Sequence, residues 1–250
     1  MIAGGIAACV RLTTAAAITL LIVTAPAHAQ DVSISFGQGT GLTERVIQLI
    51  ALLTVLSLAP SILMMMTSFT RIVVVLSLLR TALGTGTAPP NAVIVSLALF
   101  LTAFVMGPAF QNAYDTGIRP LIQNEISPEQ AFERASVPFR AFMLKNVRDK
   151  DLKLFNDLAK EPLPATPEQI SLRILVLAFM ISELKRAFEI GFLLFLPFLI
   201  IDLVVASVLM SMGMMMLPPV VVSLPFKLIF FVLVDGWSLV AGSLVQSYGS

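Results

Sequence analysis

The sequence is short of the residues that enzymes and metal sites most often rely on. Its 250 residues include one cysteine, Cys9, and one histidine, His28. Both fall in an N-terminal stretch that reads as a secretory signal: Arg11, an apolar run from Leu12 to Val23, Pro26, and the small-residue motif Ala27-His28-Ala29. That run of 12 residues is too short to span a bilayer, which favours a signal peptide over residues 1–29, cleaved after Ala29, against a first transmembrane helix. Cleavage would leave Gln30 as the new N-terminus, outside the cytoplasm. The mature chain would then hold no thiol and no imidazole. Disulfides, Cys/His metal sites, Cys or His nucleophiles and a Ser-His-Asp arrangement are excluded together, and no cofactor is indicated. An enzyme is not the expectation.

Charge is scarce as well. Only 12% of residues are charged, against about 25% in soluble domains. With 57% hydrophobic residues and a mean hydropathy of +0.93, this composition is that of an integral membrane protein. Loss of Arg11 leaves 15 basic against 15 acidic residues, so no basic excess attracts nucleic acid or anionic lipid.

What is abundant is apolar sequence in long runs. Residues 30–42 form a glycine-rich, flexible lead-in. Residues 43–110 read as a first pair of hydrophobic helical hairpins. Within them an arm from Val46 to Met66 is broken at Pro60, a shorter arm from Ile72 to Leu79 follows Arg71, and Val93–Phe110 is kinked by Gly107-Pro108. Gly84 to Asn91 is a loop by its glycines and prolines. Met64, Met65 and Met66 are expected to pack or face lipid, and the positive-inside rule sends Arg71 and Arg80 to the cytoplasmic interface in preference to a polar interior.

Residues 111–169 differ, holding 17 of the 30 mature charges, nine acidic and eight basic. Ser127-Pro128-Glu129-Gln130 is a capping-box start for an amphipathic helix that Pro138 should break or kink. The segment reads as a small amphipathic helical insertion. Residues 170–250 form the last unit. Thr166-Pro167-Glu168-Gln169 repeats the cap pattern and should launch a helix from Ile170 to about Met212, roughly 64 Å long, twice the hydrocarbon thickness. Glu183, Lys185, Arg186 and Glu189 interrupt it as a cluster that cannot face lipid and is expected to be buried. The final arm runs from Val220 to Val245 as one element, with Asp235 and Trp237 as an interface anchor.

The most informative stretch is Pro197–Lys227. It is almost wholly apolar, yet carries Asp202 near one end and Lys227 at the other, with Gly213, Met214, Met215, Met216 and the pair Pro218-Pro219 between. Two prolines in succession end or bend a helix, so the stretch reads as a hairpin tipped with methionine. Measured from a tip between Met214 and Met215, both charges lie about 19 Å down opposing arms. A lone charge in an apolar bundle is costly, so Asp202 and Lys227 are expected to form a structural ion pair.

Several runs carry a family likeness. Leu177-Ala178-Phe179-Met180-Ile181-Ser182-Glu183-Leu184-Lys185-Arg186-Ala187-Phe188-Glu189-Ile190-Gly191-Phe192 and Pro197–Asp202 followed by Met212–Met216 resemble the two signatures of the FliP/SctR family of type III secretion export-gate proteins. Met65–Arg71, Ala88-Pro89-Pro90-Asn91 and Leu233-Val234-Asp235-Gly236-Trp237 match in the same order. The resemblance implies an all-α membrane protein, multi-pass in the bacterial inner membrane at the flagellar basal body. It implies about five FliP-like copies assembling helically around a pore. FliQ-like and FliR-like gate subunits, and FlhA-like and FlhB-like export components, would be its partners. Unfolded flagellar proteins would be its substrates, and Met214, Met215 and Met216 would be the pore gasket, with Gly213, Pro218 and Pro219 shaping the tip. The cleavable signal suits the flagellar branch better than the injectisome branch. From the residues alone, an ion-coupled secondary transporter using Asp202 and Lys227 is the alternative, although no repeated halves are visible.

Overall fold

The computed structural model describes residues 42–160, 166, 169–214 and 216–249. The signal segment with Ala27 and Ala29, residues 30–41 of the lead-in, and Met215 lie outside these residues. Every regular element among the described residues is a helix: α1 (Leu42–Met65), α2 (Phe69–Leu83), α3 (Asn91–Ala113), a π-helical turn (Tyr114–Ile118) leading to α4 (Arg119–Ile122), α5 (Pro128–Asn146), α6 (Asp149–Ala159), α7 (Leu172–Ser211), α8 (Pro219–Leu233) and α9 (Gly236–Gly249). The chain divides into two compact units, residues 1–53 and 54–250. The first is described only through the opening turns of α1, and the second holds the rest of α1 and every later helix.

α2 is the central element of the second unit. Its buried residues Ile72, Val75, Leu76, Leu79 and Leu83 recur at the three- and four-residue spacing of a single helical face. They form the main core with Ala98 of α3, Ala187 and Phe198 of α7, Phe231 of α8 and Val240 and Leu244 of α9. Full burial of a side chain the size of leucine stabilises by about 1.5–3 kcal/mol, so this one face of α2 supplies much of the hydrophobic stabilisation of the bundle. A second cluster joins Met143 and Val147 to Ile174, Leu175, Ala178 and Phe179, and docks the insertion onto the start of α7. Met66 packs against that cluster and against a third one of Met106, Ala113 and Phe139, whereas Met64 and Met65 are exposed.

Several boundaries differ from the sequence reading. Pro60 lies inside α1, which ends at Met65; the break comes at Met66–Ser68, where the Thr67 hydroxyl bonds the Met64 carbonyl. α3 continues past Pro108 and, through the π-turn, to Ile122, and the chain turns at Asn124, which has φ +58°. The expected capping box is present, Ser127 Oγ accepting from Gln130 N and Gln130 Oε1 accepting from Ser127 N, both at 3.4 Å, and α5 runs through Pro138 unbroken. α7 begins at Leu172, after Ser171, and spans 40 residues, about 60 Å. The final arm is two helices: α8 and α9 meet at 62° where Asp235 adopts φ +50°. Gly236 follows at a close approach, since a Cβ there would lie 2.1 Å from the Phe231 ring.

Two of these helices, 91–122 and α7, are long and apolar enough to cross a membrane, and the bent pair α8–α9 makes a third candidate span. Each of α7 and α8 contains an internal proline, Pro197 and Pro225, whose ring nitrogen donates no backbone hydrogen bond.

Candidate functional site

The hairpin foreseen between Pro197 and Lys227 is made by α7 and α8. α7 closes in a Schellman motif: Gly213 N donates to the Met210 carbonyl (3.1 Å) and Met214 N to the Leu209 carbonyl (3.0 Å). Gly213 occupies the left-handed region at φ +76°, a conformation a Cβ would disfavour. Leu217 N then donates to the Met214 carbonyl at 3.3 Å, and Pro218 serves as N-cap with Pro219 as the first residue of α8. The result is a tight turn bearing bare thioethers. Met216 is 98% exposed and Met214 44%, with Met210 and Met212 also exposed at the end of α7.

Below the tip the two charges meet. Lys227 Nζ lies 2.6 Å from Asp202 Oδ2 and 3.2 Å from the Ala82 carbonyl at the end of α2. The Ser223 hydroxyl donates to Asp202 Oδ1 at 2.5 Å. Both carboxylate oxygens are engaged, and Lys227 is buried. Burying two charges costs several kcal/mol per ion, recovered only with good geometry and extra hydrogen bonds, and Ser223 and Ala82 provide them. The contact also ties the hairpin to α2.

A second buried pair was not foreseen. Arg71, expected at the cytoplasmic interface, is instead 1% exposed inside the bundle, and Glu183 is fully buried beside it. Arg71 donates to Glu183 through Nε to Oε2 (2.9 Å) and through Nη2 to Oε1 (2.5 Å), the two-pronged geometry that suits a guanidinium to a carboxylate. A third donor, Nη1, reaches Ser247 Oγ at 3.0 Å. The Tyr248 hydroxyl donates to Glu183 Oε2, and the Tyr248 ring lies under the guanidinium at 3.8 Å. Phe142 of α5 stacks on the same ring, centroids 5.6 Å apart. α2, α5, α7 and α9 thus converge on one network. Arg80, by contrast, reaches outward to Asn91 Oδ1 (2.5 Å) and the Pro89 carbonyl, bracing the α2–α3 loop.

The four charges expected to form one buried cluster do not. Glu183 is buried, but Lys185 and Glu189 are exposed and pair with each other at 3.7 Å, and Arg186 is half-buried. The helical period explains the split: Glu183, Ala187 and Gly191 form one buried column, while positions two residues away point to the other side. Beside Glu183, Ser182 donates to Asp151 Oδ2 (2.6 Å) and accepts from Arg148 N (3.1 Å), joining α7 to the start of α6. Burial pushes the Asp151 carboxyl up, but the Ser182 hydroxyl and the Arg148 guanidinium outweigh it and hold it below the usual carboxylate range. Trp237 lies edge-on to Phe231, 5.3 Å between centroids, at the α8–α9 bend. Among the described residues no group of three or more His, Cys, Asp and Glu could hold a metal ion.

The sequence likeness is extensive. The FliP family pattern matches residues 52–244. A flagellar biosynthetic protein FliP of Caulobacter vibrioides is 64% identical over 238 residues, 95% of this chain and 90% of that protein. Proteins of the same name from Bacillus subtilis and Aquifex aeolicus are 56% and 52% identical, over 81% and 93% of this chain and 91% and 98% of their own lengths. The matched span contains both buried ion pairs, Arg71–Glu183 and Asp202–Lys227, the methionine tip and the α8–α9 bend, and the chain belongs to the FliP family.

Proposed function

We propose that this chain is a pore-forming subunit of a flagellar protein export gate in the bacterial inner membrane. In this reading about five copies assemble with FliQ-like and FliR-like partners into a helical oligomer at the basal body. FlhA-like and FlhB-like components feed it unfolded flagellar proteins, and Met214, Met215 and Met216 close the channel. The observation that carries the proposal is the tip itself: an apolar hairpin, braced at depth by Asp202 and Lys227, that presents uncovered methionines on a tight turn.

Methionine suits that role. It is unbranched, apolar and polarizable with three rotatable bonds, so a ring of such side chains fills a gap and repacks around whatever passes. An apolar constriction excludes water and small ions by dewetting, and it needs no fixed hydrogen-bond donors that would select among substrate sequences. The exposed aromatic and aliphatic residues on both hairpin arms, among them Phe192, Leu203, Phe226 and Val232, suit burial against neighbouring subunits or lipid. The carrier alternative is less well supported, because both Asp202 oxygens are already occupied by Lys227 and Ser223.

The test is conductance. Replacing Met214, Met215 and Met216 together with alanine should make the reconstituted gate pass small ions in planar bilayers while export continues in cells. A triple variant as tight as the parent would count against the seal.

A further inference from the structure

Apart from Met64 and Met65, which are exposed at the end of α1, the described methionines fall into two sets. Met106 and Met143 are completely buried, and Met66 and Met180 are half-buried, Met180 receiving a hydrogen bond from Thr70 at 3.7 Å. Met210, Met212, Met214 and Met216 are exposed and crowd the end of one hairpin, with Met216 the barest. The chain's only cysteine, Cys9, lies far from this tip in sequence, in the expected signal. No thiol of the mature chain would compete with the tip for a two-electron oxidant.

We infer that the tip is a site of reversible oxidation to methionine sulfoxide by a hydroperoxide, and that this modification opens the closed channel to water and ions. The inference rests on the reading of the tip as a seal. In the step, a lone pair of Met216 Sδ attacks the terminal oxygen of hydrogen peroxide. A sulfur–oxygen bond forms, the oxygen–oxygen bond breaks, sulfur loses two electrons, and the departing hydroxide takes the remaining proton to leave as water. No residue of the chain has to donate or accept a proton.

The product is polar and chiral, and its oxygen accepts hydrogen bonds from water. A constriction that excludes water because its lining is apolar then wets. The fold has no reason to change. The Schellman motif holds Met214 by backbone bonds alone, and the Asp202–Lys227 pair lies 12 residues from Met214 along α7, roughly 18 Å away. Oxidation therefore alters the lining and leaves the braces untouched. Sulfoxide reductases, one for each epimer, return the thioether and with it the seal.

The experiment uses the assembled gate in planar bilayers treated with hydrogen peroxide, with peptide mass spectrometry on the same sample. Met216 should oxidise at least about tenfold faster than Met106 or Met143. Ion conductance should rise in step with tip sulfoxide and fall again after treatment with both reductases. A variant with Met214, Met215 and Met216 replaced by leucine should stay closed under the same peroxide. Stoichiometric tip oxidation without a rise in conductance, or a Met216 as slow to react as Met106, overturns the inference. So does a leucine variant that opens as readily as the parent. The alanine triple variant separates the two ideas. If it leaks while the sulfoxide form does not, the oxidation inference alone fails, and if neither leaks, the seal has failed with it.

Discussion

Glu183→Gln removes one charge from the most deeply buried ion pair and leaves the other in place. Arg71 would keep Ser247 Oγ and the face of Tyr248 but lose its buried counter-charge. Stripping one partner from a buried pair costs about 3–5 kcal/mol, because the remaining charge is left uncompensated. The amide can still accept from Tyr248 and from one arm of Arg71, so the loss should sit near 3 kcal/mol. For a chain of this length that is roughly a 6–12 °C fall in the melting temperature. Replacing both charges with apolar groups, Arg71→Met with Glu183→Leu, and adding Tyr248→Phe so that no hydroxyl is orphaned, should recover most of the loss. The assay is thermal unfolding of the full chain in detergent, followed by circular dichroism, with a double-mutant cycle over Arg71 and Glu183. A coupling energy near zero, or a single variant that melts within a degree of the parent, would refute the reasoning.

Three further outcomes are expected. Asp202→Ala should lower the yield of assembled complex, and the exchange Asp202→Lys with Lys227→Asp should partly restore it; an exchanged chain as poor as either single variant would mean the two side chains do not act as a pair. Gly236→Ala should destabilise by about 1–3 kcal/mol through collision with Phe231, measured as a lower melting temperature, and Phe231→Leu in the same chain should relieve part of it. Asp151 titrates below its ordinary value in the folded chain, so its contribution is present above about pH 4 and is lost as pH falls through the folded value. Hydrogen exchange across α6 should rise in acid accordingly, and Asp151→Asn should flatten that rise.

The hairpin was legible because its signals are local. Gly213 and Pro218-Pro219 mark the turn, and Asp202 and Lys227 are the only charges in a long apolar stretch, equally spaced from it. The Arg71–Glu183–Tyr248 network was not legible, because its members come from three helices and its neighbours stand 112 and 65 residues apart with no local feature to join them. A topological rule about arginine pointed the other way, and it lost to a carboxylate at hydrogen-bond distance. The α8–α9 bend was hidden for a different reason. Apolar residues continue on both sides of Asp235-Gly236, so Asp235 suggests an interface anchor, whereas the turn is made by its backbone at positive φ and by the absence of a Cβ at Gly236. Pro60 suggests a break, Pro108 a kink and Pro138 either one, yet the helix continues through all three, since a ring that withholds one donor costs a helix a hydrogen bond without obliging it to stop.

The positions of Pro197 and Pro225 bear on how the hairpin moves. Pro197 stands five residues before Asp202 and Pro225 two before Lys227, so each arm is short of a backbone bond close to the point where the charges meet. The two soft points stand on opposite sides of the pair, Pro225 toward the tip and Pro197 away from it, about 10 Å apart in height, and each rod would ordinarily flex there. The ion pair rivets the rods to each other and, through Ala82, to a third, and so stiffens the place where bending would be easiest. Give is left to the far end, in the long side chains past the last rivet.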